Sequence, residues 1–394
     1  MKKATKLFAI AGLTILVFAC KKEKQPEPAT STPDPYATQK KQVATTYANI
    51  AFESYNEAYN MSVTLKNSIY AFVAAPSATA LTDCQQKWKD IREVYGQTEA
   101  FRFYGGPIDG DDGPEGYINS WPMDEAAVDY VVADATAGII NKTTLYPTIT
   151  STVLLSLNQQ ASEESVTVGF HAIEFLLWGQ DLSTTGPGAR PHTDYLTVGG
   201  TAANQSRRGD YLKICADLLV SMLKQVRDDW DPSISGNYRS TFVNDPLAVR
   251  KILIGLIAMS NEELSGERLQ TAYNSQDQED EHSCFSDNTT RDIVNNHKGI
   301  ENTYLGKYVS FNSTTLVNSY GLKDLFAEAD ASTNNSLNTA IANSTSLAAS
   351  ITPPFDQAIT NPTERVKIQN LITSLQNQGA LFKTAAGKVG FTIQ

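Results

Sequence analysis

Cysteine is scarce in this 394-residue chain: four residues, Cys20, Cys84, Cys215 and Cys284, with no CxxC pair among them. That argues against a zinc ribbon and against a disulfide framework. Three widely spaced cysteines after residue 20 can form one bridge at most, and burial as small hydrophobes is their expected fate. Positive charge is short too. Lys and Arg total 32 against 43 Asp and Glu, a net charge of −11, so no basic surplus exists to neutralise phosphates and a nucleic-acid partner is disfavoured. Metal ions, cationic groups or neutral ligands suit such a chain better. Convincing strand alternation is missing, which removes α/β architectures. Neither HExxH nor HxxEH occurs, so the usual zinc-peptidase signatures are absent.

What is present begins with a basic start and a short apolar stretch over residues 1–19, ending at "VFAC". It is too short for a comfortable membrane span and has the layout of a secretory signal. Small Ala19 before Cys20 resembles a lipoprotein signal-peptidase site, although Phe18 is bulky for that pattern. Cys20 is therefore read as a lipidated residue anchoring the chain to a membrane. Residues 20–36, rich in Pro, Lys and Glu, cannot bury a core and read as a flexible tether. The remainder, in a chain with 41% hydrophobic residues, is enough for two domains or one large one.

Helical spacing of apolar residues runs through two long segments after Tyr36, the first with Ile50, Tyr55, Val63 and Ile69, the second with Leu81, Trp88, Ile91 and Tyr95. A Gly-, Pro- and acid-rich stretch, "YGGPIDGDDGPEGYINSWPMD", interrupts as a loop. Helical texture resumes at 123–138, 147–160, 163–178, 204–229, 246–273, 288–307, 320–347 and 362–386. The expected fold is all-α, built of antiparallel bundles. "IREVYGQTEAFRF" and "MSNEELSGERLQTAY" each place a glutamate and an arginine late in a helix, a loose similarity compatible with duplicated halves.

Within "VGFHAIEFLLWGQDL", His171 and Glu174 sit three apart in an apolar run, and on a helix both point to one spot. Imidazole and carboxylate suit iron or zinc. They equally suit a hydrogen-bonded pair stitching helices together. Gly169, two positions earlier and read as helix interior, implies a close approach to the backbone. Other polar residues are candidates for completing a site: Glu99, Arg102 and Asp109; Arg190, His192 and Asp194; and the run with Glu279, His282 and Asp287. Each has a plain structural alternative, such as Asp287 capping the helix that follows.

"GFHAIEFLLWG", with "TEAFRFYGGPID", "INSWPMD", "ARPHTDY", "GERL" and "EDEHSCFSDNT" in this order, resembles the imelysin family of bacterial envelope proteins, whose signature GxHxxE is Gly169, His171 and Glu174 here. The resemblance spans residues 40 to 385. It implies two helical-bundle domains, taken as 37–200, carrying GxHxxE, and 201–394, with a cleft near their junction, and it implies an envelope location and a link to iron uptake. Three readings follow. The first is a lipoprotein binding a metal ion, iron before zinc, or an iron-bearing ligand at His171 and Glu174, with iron-transport components as partners. The second is a metallopeptidase with Glu174 as base, and the third an interaction module with a structural HxxE.

Overall fold

The computed structural model describes residues 34–393. The signal peptide at 1–19, lipidation at Cys20 and most of the 20–36 tether therefore lie outside the described residues. Tyr36–Gln394 form one compact unit, and the all-α expectation holds. Helices of eight residues or more are α1 (Ala37–Ala74), α2 (Ala78–Thr98), α3 (Gly169–Trp178), α4 (Gln205–Trp230), α5 (Ala248–Ala258), α6 (Thr289–Leu305), α7 (Leu322–Ala329), α8 (Ala331–Ala348) and α9 (Pro362–Lys388). A π-helical segment, Met259–Gln270, continues α5. Among the described residues no helix is long and apolar enough to cross a membrane.

α1 forms because Val43, Tyr47, Ile50, Ala58, Leu65, Ile69 and Phe72 recur on one buried stripe. Each large side chain removed from water contributes about 1.5–3 kcal/mol. That stripe packs α1 against α2 and against α4, while α2 also packs on α6. Further along, α9 lies against α8, α5 and the π segment. The start of α9 has its own cap: Asn361 accepts from the amides of Thr363 (2.9 Å) and Glu364 (3.3 Å), and Pro362 takes the first helical position. Asn361→Ala is expected to cost about 1 kcal/mol in urea denaturation. An unchanged midpoint would remove the cap's role.

Three helical expectations are corrected. The stretch 123–138 is mostly irregular, with a 3-10 turn at Glu125–Ala127 and an isolated bridge between Val131 and Asp134. Buried Asp129 is held there by Arg190 and Arg208, and these tertiary bonds override local propensity. Within 147–160 only Ser151–Leu157 is helical. Within 163–178 the helix starts at Gly169, because Thr167 is tied in extended form to Asn158 and Tyr211. A short antiparallel hairpin, β1 (Lys307–Val309) and β2 (Thr315–Asn318), follows the Gly306 cap of α6. Cys84, Cys215 and Cys284 are buried and free.

Candidate functional site

Gly169 is the first residue of α3, not an interior one, with φ +90°. A Cβ there would stand 2.5 Å from the Ile118 carbonyl oxygen, so only glycine lets α3 begin against the 117–118 backbone. Trp88 fixes the same turn by donating its indole N–H to the Phe170 carbonyl (3.0 Å). This placement buries His171 and Glu174 at 1% and 0% exposure. His171 Nδ1 lies 2.9 Å from Glu174 Oε2, and Glu174 Oε1 accepts from the Ser286 amide (3.0 Å) and hydroxyl (2.7 Å). His171 Nε2 is buried without a hydrogen-bond partner.

Burial pushes the Glu174 carboxyl up to about 8. Burial, aided by the Arg92 guanidinium, holds His171 well below the usual imidazole range. At neutral pH the pair is thus uncharged, with a protonated Glu174 donating to Nδ1. The next layer is His282, whose ring centroid is 4.8 Å from that of His171. Its Nδ1 lies 2.8 Å from Asp292 Oδ2. Burial and the Arg268 charge lower His282 to about 3. Asp292 stays ionised despite burial, because Arg92, His282 and Ser283 all stabilise the carboxylate. His282 therefore donates Nδ1–H to Asp292, which leaves the lone pair on Nε2.

His282 lines a cavity of about 270 Å³ together with Trp121, Asn119, Glu115, Glu263, Glu267, Arg102 and Arg268. Behind the wall, Glu99 Oε2 accepts from Arg102 (2.6 Å) and Arg268 (2.7 Å). Burial opposes ionisation of Glu99, yet the two guanidiniums win and bring it down to about 2. Arg268 also binds Glu263 (2.7 Å), and Arg102 binds Glu115 (3.2 Å). Three carboxylates, Glu99, Glu115 and Glu263, thus pair with two arginines and Glu267 adds a fourth to the lining, so carboxylates outnumber guanidiniums and the cavity is electronegative. The π segment makes this possible: its i→i+5 bonding aligns Glu263 with Arg268, five residues apart, which an α-helix would separate. A glycine at 379 leaves room for the widened turn, since a Cβ there would meet Asn261 Oδ1 at 2.0 Å.

Of the residues singled out in the sequence, His171, Glu174, His282, Glu99 and Arg102 are brought into this one network, and Gly169 positions its helix. Asp109 lies elsewhere, accepting from the Phe103 and Gly106 amides to close its own loop. Arg190 and Asp194 join Asp129, Arg208 and Tyr130 in a separate buried cluster. Glu279 is exposed on a 3-10 turn. Asp287 is half-buried at φ +56° and does not cap α6, whose N-cap residue is Asn288. Burial and neighbouring carboxylates raise Asp287 to about 7.

Sequence reasoning missed Arg92, Asn119, Ser286, Asp292, Glu263 and Arg268. Arg92 was detectable, as a charge inside the apolar stripe of α2. Ser286 and Asn119 carry no local signal; only the fold brings them to Glu174 and Arg92.

Comparison with known proteins agrees with this architecture. A solved structure from Parabacteroides distasonis, described as an iron-regulated protein A precursor, superposes with a TM-score of 0.70 at 18% identity, covering 91% of this chain and 98% of that one. An imelysin-like protein from Psychrobacter arcticum gives a TM-score of 0.63 at 16% identity, with the same coverage of both chains. In sequence, iron-regulated protein A of Synechococcus elongatus is 25% identical over 249 residues, which is 62% of this chain and 58% of that protein. The match therefore spans little more than half of that relative's length. The sequence model of the imelysin family covers residues 51–382, most of the folded unit, and the chain belongs to the imelysin family.

Proposed function

We propose that this protein is a cell-envelope lipoprotein, anchored through Cys20, that binds a hydrated metal cation, iron(II) first, as cargo in the cavity floored by His282. The observation that carries the reading is a buried imidazole, held by Asp292 through Nδ1 at 2.8 Å, in the lining of an electronegative cavity. His171 and Glu174 back this imidazole and do not line the cavity. The names of the iron-regulated relatives support iron over zinc as the cargo. Iron-transport components of the envelope would be its partners.

Among the described residues no three His, Cys, Asp or Glu side chains converge to hold a metal ion. The donors present do not fit an ion coordinated wholly by protein. They fit one that keeps most of its waters, bonded through one imidazole and held by carboxylates through those waters. An anionic chelate is disfavoured because the carboxylates of Glu115, Glu263 and Glu267 outnumber Arg102 and Arg268 in the lining. For a peptidase, Glu174 would have to reach a metal-bound water, yet its carboxyl is fully buried and held by His171 and Ser286.

The test is a calorimetric titration of the metal-free protein with Fe(II), Zn(II) and ferric citrate. Fe(II) is expected to bind more tightly than ferric citrate, and His282→Ala to weaken it by at least about tenfold while circular dichroism stays unchanged. Binding that survives in His282→Ala, or a parent that takes up neither cation, would overturn the proposal.

A further inference from the structure

We propose that Glu267 is the entry residue of the His282 cavity: its carboxylate draws the hydrated divalent cation from solvent to the mouth by accepting hydrogen bonds from the ion's waters, and His282 holds the ion further in. This assignment rests on the metal-binding reading above and names the residue that governs loading. Exposure orders the lining. His282 and Arg268 are buried, at 2% and 4%, whereas Pro122, Gln159 and Glu267 are exposed. Those three mark the solvent end of the cavity, and among them Glu267 alone carries a charge.

Partners separate Glu267 from the other carboxylates of the wall. Arg102 binds Glu115 (3.2 Å) and Arg268 binds Glu263 (2.7 Å), so each must loosen an ion pair before it can turn to a cation. At the mouth, Gln159 donates its Nε2 to the Glu163 carbonyl (3.1 Å), and proline has no polar side-chain atom. Among the described residues no hydrogen bond or ion pair holds the Glu267 carboxylate. Its backbone is nevertheless fixed. Arg268, the next residue, is anchored by Glu99 (2.7 Å), Asn296 (2.6 Å) and Glu263 (2.7 Å), so a free side chain extends from a rigid turn. An exposed, unpaired charge at a mouth acts on approach: it speeds the arrival of an oppositely charged ligand and loses influence as salt screens it. The buried imidazole acts on departure.

The experiment is oxygen-free stopped-flow mixing of the full chain with Fe(II), read by quenching of Trp121, which lines the cavity with its ring 5.9 Å from that of His282. Trp88, Trp178 and Trp230 are buried outside the lining, and Trp121→Phe identifies the signal. Glu267→Gln is expected to lower the on-rate at least about fivefold at low salt, to flatten its salt dependence and to leave the off-rate within about twofold. His282→Ala is expected to do the reverse, raising the off-rate. Glu262→Gln removes an exposed charge of the same π segment that lies outside the lining, and its on-rate is expected to stay within about twofold of the parent's. Because Glu267 is exposed and unpaired, Glu267→Gln should keep the parent's urea midpoint. An unchanged on-rate in Glu267→Gln, beside a signal that depends on His282, would sink this assignment and leave the metal-binding reading standing. An equal loss in Glu262→Gln would sink it too, since general charge would then be steering the ion. A parent with no Fe(II)-dependent quenching would overturn both.

Discussion

Glu174→Gln is expected to match the parent in stability near pH 5 and to exceed it by roughly 2–4 kcal/mol at pH 9. Burial raises the carboxyl to about 8 from an ordinary 4.5. Between those values the folded chain holds a proton that the unfolded chain has released. The stability tied to that proton is fully present below about pH 4.5 and is lost as pH rises through about 8. Glutamine does not titrate. Its oxygen can still accept from the Ser286 amide and hydroxyl, and its NH₂ can donate to His171 Nδ1 as the protonated acid does. Glu174→Ala differs, since it strands the Ser286 and His171 partners and should cost about 1–3 kcal/mol across the range. Urea midpoints from pH 5 to 9 read both effects. Parallel parent and Glu174→Gln curves would show that the carboxyl is ionised in the fold.

The second large effect is expected at Asp129→Ala, a loss of about 3–5 kcal/mol. Asp129 is fully buried and accepts from Arg190 Nη1 (2.8 Å), Arg208 Nε (2.6 Å) and Arg208 Nη2 (2.9 Å). Its removal leaves two buried guanidiniums sharing the one nearby carboxylate of Asp194 and the carbonyls of Asp194 and Ala203. Chemical denaturation measures the loss. Fe(II) affinity at the His282 cavity should stay unchanged wherever the variant is folded, because the two clusters share no residue. A cost under about 1 kcal/mol would mean that the arginines find other partners or water.

Much of this was legible because helices advertise themselves. The stripes of α1 and α2 repeat at helical spacing, and the resemblance at GxHxxE fixed attention on His171 and Glu174. Failures came where tertiary bonds overrule local preference. Residues 123–138 look helical, but Asp129 is pulled into the arginine cluster and Gly138, at φ +79°, packs where a Cβ would stand 2.2 Å from the Asp129 amide. Gly169 looked like a helix interior and proved to be a helix start, since nothing local announces that Ile118 lies against it. Residues 259–270 read as ordinary α-helix, and the π-helical turn that aligns Glu263 with Arg268 depends on what α9 allows at Gly379.

The sequence by itself determined the all-α class, the acidic character and the presence of a histidine–glutamate pair on one helical face, because composition and short-range periodicity carry those properties. Only the tertiary structure decided which group faces the cavity. His171 and His282 are more than a hundred residues apart, and their order from core to cavity depends on where α3, the 278–288 loop and α6 meet. Burial then sets protonation: the same pair that would be charged on a surface helix is neutral here, because desolvation outweighs the mutual attraction of carboxylate and imidazolium.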